Sequence, residues 1–165
     1  MKMTPIVSLL RKSPPLLVAS LDGDDLPYLL EQARSEHADM AEIRGMLQGI
    51  GDGARVGMCF DTAHAFAAGL PIHTEDGLRD TVRVVDDQIG WDRVPLIHLN
   101  DSKVPFHAKV DRHWHIGQGH IGLDGFQRLL NHPQFAARPW ILETPGETDA
   151  DDLRNLRTVL RLIAP

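Results

Sequence analysis

Val56-Gly-Met-Cys-Phe-Asp61 (VGMCFD) decides the fold. It is a short apolar run, entered through the turn-rich Gly49–Ala54 segment and ending on a carboxylate, and such a run reads as a buried strand. Downstream, Thr74–Gln88 carries Leu78, Val82 and Val85 at helical spacing, and Gly90 stops it. Val94–Leu99 (VPLIHL) is the second strand. Leu123–Asn131 follows as a short helix with Leu123, Phe126, Leu129 and Leu130 on one face. Trp140–Thr144 (WILET) is the third strand, and Asp149–Ile163 closes the chain as a helix with Asp149, Asp151 and Asp152 near its positive N-terminal end. Strand and helix in alternation imply an α/β fold with parallel strands and right-handed crossovers. Upstream, Leu16–Ala19 is a candidate strand and Leu26–Leu47 reads as mostly helical despite Pro27. No internal repeat or low-complexity linker divides the chain.

The 165 residues, 42% of them hydrophobic and 24% charged, suffice for one domain with a buried core. No apolar run approaches the roughly 18 residues of a membrane span. Pro5, Arg11, Lys12, Pro14 and Pro15 interrupt the region where a leader's apolar stretch would lie, so a cytoplasmic protein is expected. Cys59 is the only cysteine, which excludes a disulfide scaffold, and its apolar strand makes it an inert core residue. A net charge of −6 gives no global basic field for nucleic acid, although Lys103, Lys109 and Arg112 form a local basic patch. Histidine stands out: nine residues, five of them between His98 and His120.

Each strand ends in, or runs into, a potential metal ligand: Asp61 with His64, His98 with Asp101, and Glu143. Parallel α/β sheets present their sites at the carboxyl ends of strands. If Thr62 begins a helix or tight turn, Asp61 and His64 point into one cavity. Asp111-Arg-His113 is an i, i+2 pair suited to an extended loop. Together with His64 it makes a His/His/Asp set with a fourth position open, as in a catalytic zinc site. Asp61, His98 and Glu143 make a second set. Singly, each residue has an ordinary role: Asp61 as a helix N-cap, Glu143 as a strand-end carboxylate, Asp111–His113 as a solvated loop. Their coincidence at every strand end favours metal. Gly117-Gln-Gly119…Gly122 reads as a turn rather than a phosphate cradle, because no strand feeds it. His115 and His120 support the metal loop or touch substrate, and His37, His73, His107 and His132 read as surface residues.

Three segments resemble the endonuclease IV family, the metal-dependent apurinic/apyrimidinic endonucleases built on a (β/α)8 TIM barrel. They are Val56-Gly-Met-Cys-Phe-Asp-Thr-Ala-His-Ala-Phe-Ala-Ala-Gly69, His98-Leu-Asn-Asp-Ser102 with Val110-Asp-Arg-His-Trp-His-Ile-Gly-Gln-Gly119, and Ile141-Leu-Glu-Thr144. The resemblance implies a cluster of three zinc ions that activates water to cleave double-stranded DNA on the 5′ side of abasic sites, in base excision repair. It implies His64, Asp111 and His113 as ligands of one zinc and Asp61, His98 and Glu143 as ligands of a second, the latter three acting through metal-activated water. Ala63 and Gln118 replace the family's usual cysteine and glutamate. The remaining zinc of the family takes two upstream histidines and a bridging glutamate. No histidine precedes His37, so two zinc ions at most are expected; Glu31 in Leu29-Leu-Glu-Gln32 is the candidate for the bridging residue.

A (β/α)8 barrel takes about 250 residues, so this chain has room for three or four strand–helix units. The expectation is therefore a partial barrel: residues 55–165 as the C-terminal half, and 1–54 as a poorly matched segment holding one candidate βα unit. Impaired activity of the chain alone follows, as does association to complete the barrel. Two other readings are a non-catalytic metal-binding remnant or partner subunit, and a metal-dependent sugar isomerase or epimerase of the related barrel superfamily. Asp111-Arg-His113 favours the nuclease over the isomerase.

Overall fold

The computed structural model describes residues 19–20, 40–50, 55–146 and 148–163. Three short strands, β3 (Cys59–Asp61), β4 (Leu96–His98) and β7 (Trp140–Ile141), form a parallel sheet in the order β3-β4-β7. The register pairs Asp61 with His98 and His98 with Ile141, so the carboxyl ends of all three strands lie level. Two antiparallel pairs accompany the sheet: β1 (Ala19–Ser20) with β2 (Arg55–Val56), and β5 (Asp101–Ser102) with β6 (His113–Trp114). The helices are α1 (Met40–Ile50), α2 (Thr62–Ala68), α3 (Glu75–Gln88), α4 (Gly122–Asn131), α5 (Pro133–Ala136) and α6 (Asp149–Leu162). Helix α3 contacts α1 and α4, and α4 contacts α5 and α6, so the helices make a continuous layer.

Alternation along the strands sorts the side chains. Phe60 and Ile97 are buried in the core, with Trp140 and Leu142 packed against it, and they meet Leu78, Val85, Phe126, Leu129 and Phe135 from the helices. The opposite face carries Asp61, His98 and Glu143 at the strand ends, with Cys59, Leu96 and Ile141 below them, each only half-buried. This is a barrel wall rather than a sandwich layer. Among the described residues the three parallel strands do not close on themselves.

The α/β reading and its helix positions hold, with differences of detail. The run 56–61 is not one strand: it breaks at Gly57–Met58, where Met58 donates its N–H to Arg93 O at 2.8 Å. A Cβ at Gly57 would lie 2.7 Å from both Arg93 O and Pro95 Cδ, so only glycine passes there. Leu123 is exposed rather than on the buried face of α4, whose contacts come from Phe126, Leu129 and Leu130. Of the two upstream expectations, Ala19–Ser20 and Met40–Ile50 are described as strand and helix; the rest, including Glu31 and His37, lies outside the described residues. Among the described residues, no helix is long and apolar enough to cross a membrane.

Candidate metal centre

Asp61 ends β3 and caps α2. Its Oδ1 accepts from His64 N at 3.0 Å, the ordinary N-cap bond, and this turns the His64 side chain to the same side as the carboxylate. Helix α2 ends at Gly69, whose positive φ of 110° lets its N–H bond back to Ala65 O and Phe66 O. The hairpin β5–β6 delivers the other partners. Ser102 pairs with His113, and Lys103 N donates to Arg112 O at 2.9 Å, so Asp111 and His113 approach His64 from across the site.

The His/His/Asp set is assembled. His64 Nε2 lies 3.0 Å from Asp111 Oδ1, His113 Nε2 lies 3.3 Å from the same oxygen, and the two nitrogens are 3.3 Å apart. Three ligand atoms of a tetrahedral zinc with bonds of ~2.0 Å stand about 3.3 Å apart. Asp111 Oδ1 is buried between the two imidazoles. A cation at the centre of the three atoms would meet all of them.

The second set is equally close. His98 Nδ1 is 2.8 Å from Glu143 Oε2 and 3.7 Å from Asp61 Oδ2. Asp61 Oδ2 also stands 3.6 Å from His113 Nε2, so this carboxylate lies between the two sets. Asp61, His64 and His113 form one group of mutually close potential ligand atoms, and Asp61, His98 and Glu143 form another. All donors are nitrogen or oxygen, as suits zinc in a hydrolytic site. The residues present fit two neighbouring divalent cations.

The electrostatics agree. Burial works against ionisation of Asp61, yet the charges of His64 and His113 and the proximity of His98 hold it well below the usual carboxylate range. Burial likewise opposes protonation of His64, but Asp61 and Asp111 push it up to about 9. For His98, burial is outweighed by Asp61, Cys59 and Glu143, which push it up to about 12. In the metal-free protein, protons on histidine balance the carboxylates that a cation would otherwise balance.

Some expectations change. Asp101 is not a ligand. Its carboxylate, fully buried, accepts from the N–H groups of Ser102 and Ile121 on Oδ1 and of Gly117, Gly119 and Gly122 on Oδ2. The glycine-rich loop thus cradles an internal carboxylate, not a phosphate. A Cβ at Gly119 would lie 2.3 Å from Ser102 O and 2.6 Å from Asp101 Oδ1. Cys59 is half-buried on the ligand face rather than in the core, and burial pushes its thiol pKa up. His115 is held by Asn155, which also donates to Thr144 Oγ1 at 2.8 Å and accepts from Ile116 N at 3.0 Å, fastening the loop to the end of β7. His73 is half-buried against Phe66 and Phe106, and His132 caps α5 by accepting from Gln134 N. Lys103 stands over the Trp114 ring at 4.1 Å, with Lys109 and Arg112 exposed nearby.

The pattern of the xylose isomerase-like TIM-barrel family matches residues 21–164. The chain belongs to that family. Within it, the likeness to endonuclease IV read from the three motifs holds. A protein named probable endonuclease 4 from Methanosphaerula palustris is 43% identical over 124 residues, covering 75% of this chain and 43% of the relative. One from Aquifex aeolicus is 41% identical over 142 residues, covering 82% of this chain and 48% of the relative. The crystal structure of endonuclease IV from Thermus thermophilus superposes with a TM-score of 0.64 and 33% identity, over 78% of this chain and 44% of that one. The chain therefore spans less than half the length of these relatives.

Proposed function

We propose that the chain is a zinc-binding portion of an endonuclease IV-like phosphodiester hydrolase, a cytoplasmic DNA-repair activity that cleaves double-stranded DNA 5′ to abasic sites. The observation that carries the reading is two adjoining clusters of potential ligand atoms, His64/Asp111/His113 and Asp61/His98/Glu143, with Asp61 Oδ2 near both. His64, Asp111 and His113 would hold one zinc; Asp61, His98 and Glu143 would hold a second. When bound, zinc supplies Lewis acidity, acidifying water and neutralising charge on a phosphodiester.

The remaining work falls to the chain itself. Asp61 caps α2 and stands between both ligand groups, which fixes their spacing. Glu143 holds His98 by the 2.8 Å contact. Lys103, Lys109 and Arg112 offer positive charge to a DNA backbone beside the site, in a protein whose overall charge of −6 would repel it. The half-buried Cys59, Leu96 and Ile141 form the face against which further barrel strands would pack, so association that completes the barrel belongs to the proposal.

A second reading is metal binding without catalysis, because the described residues bring together ligands for two ions where the resemblance implies three. A duplex carrying a single abasic site separates the two. The nuclease reading expects zinc-dependent incision on the 5′ side of the lesion, far slower than by a full-length relative, with undamaged duplex left intact. No incision with zinc bound supports the second reading, and turnover matching the full-length relative would refute the impairment.

A further inference from the structure

We propose that Asn100 is the positioning residue of the metal centre, one amide that aims the Asp61 carboxylate and docks the end of β7 bearing Glu143. This rests on Asp61, His98 and Glu143 being a metal site. Asn100 is fully buried two residues beyond His98. Its Nδ2 donates to Asp61 Oδ2 at 2.9 Å, and its Oδ1 accepts from Glu143 N at 2.8 Å. Only one orientation of the amide satisfies both, because a carboxylate oxygen accepts and a backbone N–H donates. Its backbone is clamped as well: Asn100 N donates to Thr62 Oγ1 at 2.8 Å, and that hydroxyl donates to Asn100 O at 2.6 Å. Thr62 follows Asp61 directly, so the strand ends of β3, β4 and β7 are tied through a single side chain.

The consequence for the ligands is specific. His64 N occupies one lone pair on Asp61 Oδ1 and the Asn100 amide occupies one on Oδ2. The carboxylate can no longer rotate, and Oδ2 keeps its place facing His98 Nδ1 and His113 Nε2 at 3.7 and 3.6 Å. A neutral donor does this without adding positive charge that would compete with a cation. Lysine would add that charge, aspartate would repel Asp61, and leucine would leave both the Asp61 oxygen and the Glu143 N–H unpaired in the interior. Glutamine is one methylene too long for a fully buried position.

The test uses the full chain and metal alone. Wild type and Asn100→Ala are titrated with Zn2+ against a chelator, with far-UV circular dichroism establishing that each is folded. Groups that orient metal ligands typically contribute 10–100-fold to affinity, and a loss of about that size is expected for the site containing Asp61. A folded Asn100→Ala protein with wild-type Zn2+ affinity overturns the proposal and leaves the metal site standing. Wild type that binds no Zn2+ overturns the metal site itself, and this shows in the wild-type titration alone. If Asn100→Ala does not fold, Asn100→Asp decides: it keeps an acceptor for Glu143 N but sets an oxygen against Asp61. The visible absorption of its Co2+ complex is expected to differ from wild type, because a displaced Asp61 changes the ligand field. An unchanged spectrum overturns the proposal.

Discussion

Replacing Asp101 by asparagine changes shape almost not at all and inverts the chemistry of one oxygen. The carboxylate takes two backbone N–H groups on Oδ1, from Ser102 at 2.7 Å and Ile121 at 2.9 Å. It takes three on Oδ2, from Gly117 and Gly119 at 2.9 Å and Gly122 at 3.3 Å. An amide must turn its NH2 toward one group or the other, so at best two donors face a donor. Each buried N–H left unpaired costs about 1–3 kcal/mol, giving roughly 2–6 kcal/mol for Asp101→Asn. Burial raises the Asp101 pKa despite its N–H partners, and the amide escapes that desolvation, which moves the expectation toward the lower end. Urea unfolding of the metal-free chain measures the change as a lower midpoint at constant slope. Hydrogen exchange localises it: the amides of Ser102 and Ile121, at the two ends of that loop, lose protection before those of Phe60 and Ile97. A variant within about 0.5 kcal/mol of wild type, the ordinary range for a neutral surface change, with the loop amides still protected, would refute the role given to Asp101.

Zinc affinity should rise with pH. His64 retains its proton up to about 9 in the metal-free protein, and zinc needs the bare nitrogen. The site holding His64 therefore gains about tenfold per pH unit from neutrality and levels off above about 9; calorimetry in buffers of different ionisation enthalpy would show the released proton, and pH-independent affinity would count against the assignment. The same shift has the opposite sign for the metal-free fold. With its pKa raised above the ordinary 6.5, His64 stabilises that fold fully below 6.5, and the contribution fades as pH rises through about 9. A metal-free melting temperature that climbs over this window would contradict it. His113→Ala removes a nitrogen 3.3 Å from both His64 Nε2 and Asp111 Oδ1. It should cost one zinc ion together with any incision of abasic DNA, and retention of both would eliminate the His64/Asp111/His113 set.

The elements legible in the sequence are those whose signal is local. Leu78, Val82 and Val85 announce α3 by spacing, and Thr74 caps it by accepting from Gly77 N. The convergence of the candidate ligands was legible because side-chain chemistry concentrates at strand ends, so Asp61, His98 and Glu143 come together once three parallel strands stand level. The i, i+2 spacing of Asp111 and His113 suits the extended hairpin strand that carries His113. Asp101 misled for a physical reason: its partners are backbone N–H groups up to 21 residues downstream, and no residue pattern encodes a backbone donor. The β5–β6 pairing is two residues long on each side, too short for any periodicity. Asn100 and Asn155 escaped notice because an amide in an apolar neighbourhood gains meaning only from the strand and loop ends it joins.

Zinc content is the most direct measure of the central claim, that six side chains from three strand ends, helix α2 and one hairpin form two adjoining metal sites. The chain is dialysed to equilibrium against excess zinc, freed of unbound metal and analysed for zinc and protein together. Two zinc ions per chain are expected, falling to one in His113→Ala. A wild-type chain that retains none would contradict the account.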